Sequence, residues 1–341
     1  MQQAEIAGQG SGDPGPAMTG PMWMPVQPPT LERVLAWHPQ PLPVLPWLVL
    51  IMLLLYGGGV VILHGRGVRW PLARILWWLL GLATTLFVTA TGVEGYGMEL
   101  FSIHMLQHMV LNMLVPVLLV LGAPVTLLLR VLPAGPGRRG RARRAVLALL
   151  HSGAATLLAH PLVTFALFIT SLYGLYFTPA FDYLMGTWWG HNLMLIHFMA
   201  IGFLYFWGII GVDPSPRKPA RGLKRSAGPV LPLLELAATA PFHAFFGVVV
   251  MMSTSLLVTY YQGHMPGWHV AAMADQAAGG GIAWGFTEVP TLLVLGALVV
   301  KWQRSERRTT RAAERRATRH GDQELADYNN YLQALQNRSL R

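Results

Sequence analysis

The sequence predicts an all-α fold: a polytopic membrane bundle of seven transmembrane helices, with the N-terminus outside and the C-terminus cytoplasmic. Three observations predict it. Of 341 residues, 53% are hydrophobic and only 12% are charged, about half the charged share of an ordinary soluble chain. The apolar residues gather into runs near the roughly 20 residues needed to cross a bilayer. The basic residues fall in alternate connections between those runs, as the positive-inside rule requires.

The elements follow in order. Residues 1–45 hold the Pro- and Gly-rich stretch "GQGSGDPGPAMTGPMWMPVQPPT" and lack a basic n-region, so they read as a disordered extracytoplasmic arm. The seven spans are Pro46–Leu63, Pro71–Thr91, Ile103–Leu129, Pro161–Phe177, Trp189–Val212, Val230–Tyr261 and Ile282–Trp302, forming one membrane domain over residues 46–302. The fourth is short; the third and sixth are long enough to tilt or project. Arg33 is the only basic residue before the first span. Arg66, Arg69 and Arg74 follow it, arginines from Arg130 to Arg144 follow the third, and Arg217, Lys218, Arg221, Lys224 and Arg225 follow the fifth. The connections after spans two, four and six contain neither Lys nor Arg. Residues 303–341 form a basic cytoplasmic tail of helical composition.

The net charge of +10 therefore reports topology and attraction to anionic membrane lipid, not nucleic-acid binding. There is no cysteine, so disulfides and thiolate metal sites are excluded and a soft metal would depend on His and Met.

Ionisable residues inside lipid are costly, and each is a functional candidate. Span three opens with "HMLQH". His104 and His108, four residues apart, share a helix face, and that spacing lets two imidazoles reach one metal ion. Met105 and Met109 lie on an adjacent face, where packing is the plainer role. Span five carries His191, Met194 and His197 at steps of three, with His197 roughly 12 Å into the span. Glu288 lies about two turns into span seven. Asp275 and Gln276 stand just ahead of it, before three glycines that permit a tight turn or a close backbone approach. His264 lies in the preceding loop. These residues gather toward the outer side of the membrane, and a mixed His/carboxylate shell with thioethers nearby suits copper, as Cu(I) or Cu(II), better than magnesium or calcium. His160 and His243 would form a separate, inner polar site.

The segments "HMLQHMVLNMLVPVLLVLGAPVTLLLR", "AHPLVTFALFITSLYGLYFTPAFD", "HFMAIGFLYFWGIIGVDP" and "DQAAGGGIAW", in that order, resemble the CtaG-type cytochrome c oxidase assembly factor family over roughly Leu45 to Trp302. The resemblance implies a non-enzymatic, multi-pass protein of the bacterial plasma membrane, a metallochaperone handling copper for a haem-copper oxidase of the respiratory chain. It implies His104, His108, His197 and Asp275 as metal residues; the residues themselves offer His191, Glu288, Met105, Met109, Met194 and His264 as secondary candidates. It implies oxidase subunit I as recipient and a separate copper-resistance D-type or other copper-donor protein as partner. Where the family often has Trp-His-x-Pro, this chain has Tyr176-Phe177-Thr178-Pro179, so Phe177 replaces a histidine. Three other classes fit the same residues: a copper transporter or resistance protein routed past His243 and His160, a haem-binding membrane cytochrome using His108 with His197, and a purely structural oxidase partner without metal.

Overall fold

The structure, a computed structural model, describes residues 18–217, 230–262 and 267–339. Its helices are α1 (Leu31–Leu35), α2 (Val44–Gly65), α3 (Leu72–Ala90), α4 (Gly92–Glu99), α5 (Phe101–Met109), a π-helical segment (Val110–Leu114), α6 (Val115–Leu121), α7 (Pro124–Val131), α8 (Arg141–Leu150), α9 (Gly153–Leu158), α10 (Pro161–Tyr176), α11 (Ala180–Met185), α12 (Trp188–Ile210), α13 (Val230–Met252) and α14 (Ala272–Ser339). No β-strand is present among the described residues, only two isolated bridges.

Six helical stretches are long and apolar enough to cross a membrane: Val44–Gly65, Leu72–Ala90, Phe101–Val131, Trp188–Ile210, Leu231–Met252 and Ala272–Val300. The fourth expected span is α10. Its 16 residues make ~24 Å of helix, less than the ~30 Å hydrocarbon thickness of a typical bilayer.

Two expected boundaries move. The sixth span stops at Met252 and does not reach Tyr261. Beyond it the Ser253 hydroxyl bonds the Ser255 carbonyl at 2.7 Å and accepts from the Ser255 N–H at 3.4 Å, local bonding that competes with the helical ladder. The last helix starts ten residues early, at Ala272, and takes in Asp275, Gln276 and the three glycines. The glycines serve close approach, not a turn. A Cβ on Gly280 would lie 2.4 Å from the Met251 amide nitrogen, so only glycine lets α14 meet α13 at this height. The helix then continues without a break through the basic segment to Ser339.

Residues 18–43, expected as part of a free arm, are laid against one end of the bundle. Thr19 pairs with Thr187 and Gly186, and Trp37 pairs with Thr91. The Gln40 side chain accepts from the Trp23 N–H at 2.7 Å and donates to its carbonyl at 3.2 Å. This end also holds α4, α11, the start of α12 and the start of α14. We call it the site end.

Three carboxylates tie distant segments together by accepting backbone N–H groups that a helix start or a loop leaves without partners. Asp275 accepts from Phe101 (2.6 Å) and Ser102 (3.3 Å) at the start of α5. Asp213 accepts from Val125 (2.9 Å), Thr126 (2.8 Å) and the Thr126 hydroxyl at the start of α7. Asp182 accepts from Thr259 and Tyr260 in the segment after α13. Toward the opposite end, Glu235 of α13 is paired with Arg217 by two bonds of 2.8 and 3.0 Å, and Thr164 donates to the same carboxylate.

Candidate functional site

α5 enters the bundle at the site end, with α4 lying over it and α14, α12 and the π-helical segment around it. The sequence places His104, His108 and Asn112 at i, i+4 and i+8, one stripe of a helix facing inward. All three are buried, at 0%, 0% and 2% exposure. The stripe crosses into the π-helical turn at Val110–Leu114, where the Val115 N–H reaches back to the Val110 carbonyl. π turns inside α-helices recur at functional sites.

The Tyr176 hydroxyl, from the last residue of α10, joins the two rings. It lies 3.1 Å from His104 Nε2 and 2.7 Å from His108 Nδ1. When this hydroxyl donates to one ring and accepts from the other, the two tautomers are coupled. One of the two remaining ring nitrogens, His104 Nδ1 or His108 Nε2, then carries a lone pair and the other an N–H. His108 is held further by stacking on Phe198, with ring centroids 3.4 Å apart and 8° between planes.

His191, one turn into α12, completes the group. It is fully buried, and its ring centroid lies 6.0 Å from that of His104. His104 Nδ1, His108 Nε2 and both nitrogens of His191 are buried without a hydrogen-bond partner. Each buried polar atom left so costs about 1–3 kcal/mol. Two imidazoles on one ion, with metal–nitrogen bonds of about 2.0 Å, stand with centroids about 6 Å apart when opposed. The His104–His191 spacing therefore fits a two-histidine contact. A closed set is not formed: among the described residues no three His, Asp or Glu side chains converge as a metal group.

Several expected site residues go elsewhere. His197 is exposed and its Nε2 bonds the Ser171 hydroxyl at 2.7 Å. Two steps of three residues turn a helix by about 120°, so His191 and His197 cannot share a face. Asp275 acts as the cap of α5 described above, and Gln276 braces the segment after α13 through Leu257 N and Ser255 O. His160 caps α10, its Nδ1 accepting from Leu162 N, and is exposed. His243 is buried beside Phe168 and Phe246. His160 stands at the exposed start of α10, whereas His243 lies beside Phe168, eight residues further along that helix. His243 also sits nine residues from the end of α13, ~14 Å, because that helix stops early. Met105, Met109 and Met194 are buried in the main apolar core. His264 and the side chain of Glu288 lie outside the described residues. Phe177 packs on Tyr173 and Phe246.

Sequence reasoning missed Tyr176 as a participant and ranked His191 below His197. The signal for His191 was available in its distance from His197 around the helix. For Tyr176 the local sequence had none, since only the fold brings α10 to α5. A buried carboxyl was also missed. Glu94 of α4 is 3% exposed with Oε2 unpartnered, and burial pushes its pKa up to about 8.

Comparison with known proteins adds the following. A family model described as cytochrome c oxidase caa3 assembly factor (Caa3_CtaG) matches residues 54–305. An uncharacterized protein of Mycobacterium bovis and one of Mycobacterium tuberculosis are each 45% identical over 317 residues, covering 91% of this chain and 46% of theirs. An uncharacterized protein of Mycobacterium leprae is 41% identical over 287 residues, covering 82% of this chain and 42% of its own. The chain thus spans about half the length of the curated relatives it matches. No solved structure matches it significantly.

Proposed function

The chain belongs to the cytochrome c oxidase caa3 assembly factor family, and from that membership we propose that it handles copper for maturation of a haem-copper oxidase. The contact site is the buried imidazole group of His104, His108 and His191. The protein is a carrier or insertion factor and not an enzyme. It lies in a bacterial plasma membrane with the site end outward, an orientation supported by the basic residues concentrated in alternate connections. Oxidase subunit I is the recipient, and a copper-resistance D-type or other copper-donor protein the source.

One observation carries the reading: four imidazole nitrogens of His104, His108 and His191 are buried without partners, two of the rings at a spacing an ion could bridge. Neutral imidazole in an apolar shell suits a borderline or soft metal, and an open ligand set allows release as well as binding. His104 and His191 would make the contact, and Tyr176 would orient His104 and His108.

The test is copper content of the purified, detergent-solubilised chain under reducing and oxidising conditions. Near-stoichiometric copper is expected in the wild type and in His197→Ala, and its loss in His104→Ala/His191→Ala. A wild type that takes up no copper, or a His197→Ala variant that loses it equally, overturns the ligand assignment.

A further inference from the structure

The sixteen methionines are distributed unevenly along the chain. None occurs in residues 53–97, 114–184, 200–250 or 274–341. Mapped on the fold, the described ones sit at the site end or no deeper than the middle of the bundle: Met98 in α4, Met185 in α11, Met251 and Met252 at the end of α13, and Met273 at the start of α14. The apolar core of the opposite half is built chiefly of Leu, Val, Ile and aromatic side chains, among them Val120, Phe168, Tyr205, Phe206, Leu236 and Leu298. Packing has no preference for one end of a bundle, since Leu and Met are near-equal in volume and exchange readily. An accumulation at the end that also holds His104 and His191 needs a second cause.

The segment "MTGPMWM", Met18–Met24, lies at the entrance to that end. Backbone pairing fixes it. Thr19 donates to the Gly186 carbonyl at 2.9 Å, and its own carbonyl accepts from Trp188 at 3.2 Å. Trp188 opens α12 one turn before His191, whose two ring nitrogens are buried and unpartnered. Met18, Met22 and Met24 are partly buried and rest on the core, so they touch both the outside and the packed interior. Met98, Met105, Met109 and Met185 beneath are fully buried.

We propose that the Met18–Met24 strap is an entry site for a soft monovalent cation, Cu(I) or Ag(I), bound through thioether sulfur and passed inward toward His191. Thioether binds such ions and discriminates against hard divalent cations. The site rests on the proposed function only for the cation's destination; the strap's own binding is independent of it.

Methyl-labelled methionine in the purified full chain provides the test, with resonances assigned by single Met→Leu changes. Ag(I) serves as a redox-inert probe. The methyls of Met18, Met22 and Met24 are expected to shift at substoichiometric Ag(I), in the wild type and equally in His104→Ala/His191→Ala. The volume-conserving variant Met18→Leu/Met22→Leu/Met24→Leu is expected to load the histidine site at least ten-fold more slowly. Strap methyls that stay unmoved at saturating Ag(I) overturn the proposal, whether or not the histidines bind. Strap methyls that shift while the histidines take no metal leave the entry site standing and remove the histidine assignment.

Discussion

Replacing Tyr176 by Phe deletes one oxygen and nothing else. That oxygen holds His104 Nε2 at 3.1 Å and His108 Nδ1 at 2.7 Å in the buried interior. A buried hydrogen bond contributes about 0.5–1.5 kcal/mol net, and two are lost, so Tyr176→Phe should destabilise the chain by about 1–3 kcal/mol. Stability alone would not separate this hydroxyl from any other buried one. Its position behind the proposed metal nitrogens makes the separation. Groups that orient a metal-binding imidazole typically matter 10- to 100-fold for affinity. Chelator competition with Cu(I), run beside thermal unfolding in one detergent, measures both effects. Tyr205→Phe is the control, since its hydroxyl bonds Thr239 at 2.6 Å about four turns further along α12 than His191; it should cost stability and leave copper affinity unchanged. A Tyr176→Phe protein that loses stability yet binds copper within two-fold of wild type refutes the orienting role.

Asp275→Ala removes the acceptor for two N–H groups at the start of α5. It should cost about 1–2 kcal/mol in unfolding measurements, as lost helix caps do, while copper stoichiometry stays at the wild-type value; loss of the metal with the fold intact would restore Asp275 as a ligand. Glu94 gives a pH dependence. Its folded pKa, about 8, lies above the ordinary 4.5, so the folded state holds the proton more tightly than the unfolded one. Stability should decline as pH rises from about 4.5 to about 8 and level off above, and Glu94→Gln should flatten that decline. An unchanged slope in the Glu94→Gln protein would show that this carboxyl is not the group titrating.

Hydropathy was enough to locate six helices long and apolar enough to cross a membrane, because lipid demands long apolar runs and helices satisfy their own backbone; α10, expected as a seventh, is shorter than those six. Their ends were harder. Met252 looked like the middle of a run, and the Ser253–Ser255 bonding that stops the helix is a local competition that an apolar count does not register. The start of α14 was misplaced because glycines read as turn formers until α13 is present to press against them. In the site, the His104–His108 pair was legible from spacing alone. His197 was not excluded, because three steps along a sequence look like one stripe until the helix turn is counted through. Asp275 stood out as an acid near lipid, but its partners, Phe101 and Ser102, lie more than 170 residues away in the chain. Only the fold distinguishes a cap from a ligand there.

The π-helical turn at Val110–Leu114 acts as a phase joint. Its wider ring accommodates one residue more than an α-helical turn does, and one residue is worth about 100° of rotation. Above it, the joint sets the direction of His104 and His108. Below it, Gly202 of α12 lies so close that a Cβ there would be 2.1 Å from the Asn112 carbonyl oxygen, which clamps α12 to the turn itself. Pro116, just beyond, has no N–H to draw the turn back into α-helical register. The compass bearing of the imidazoles is thus stored some distance from them. A chain shortened by one residue at this joint would keep every histidine and turn His104 and His108 away from Tyr176 and His191.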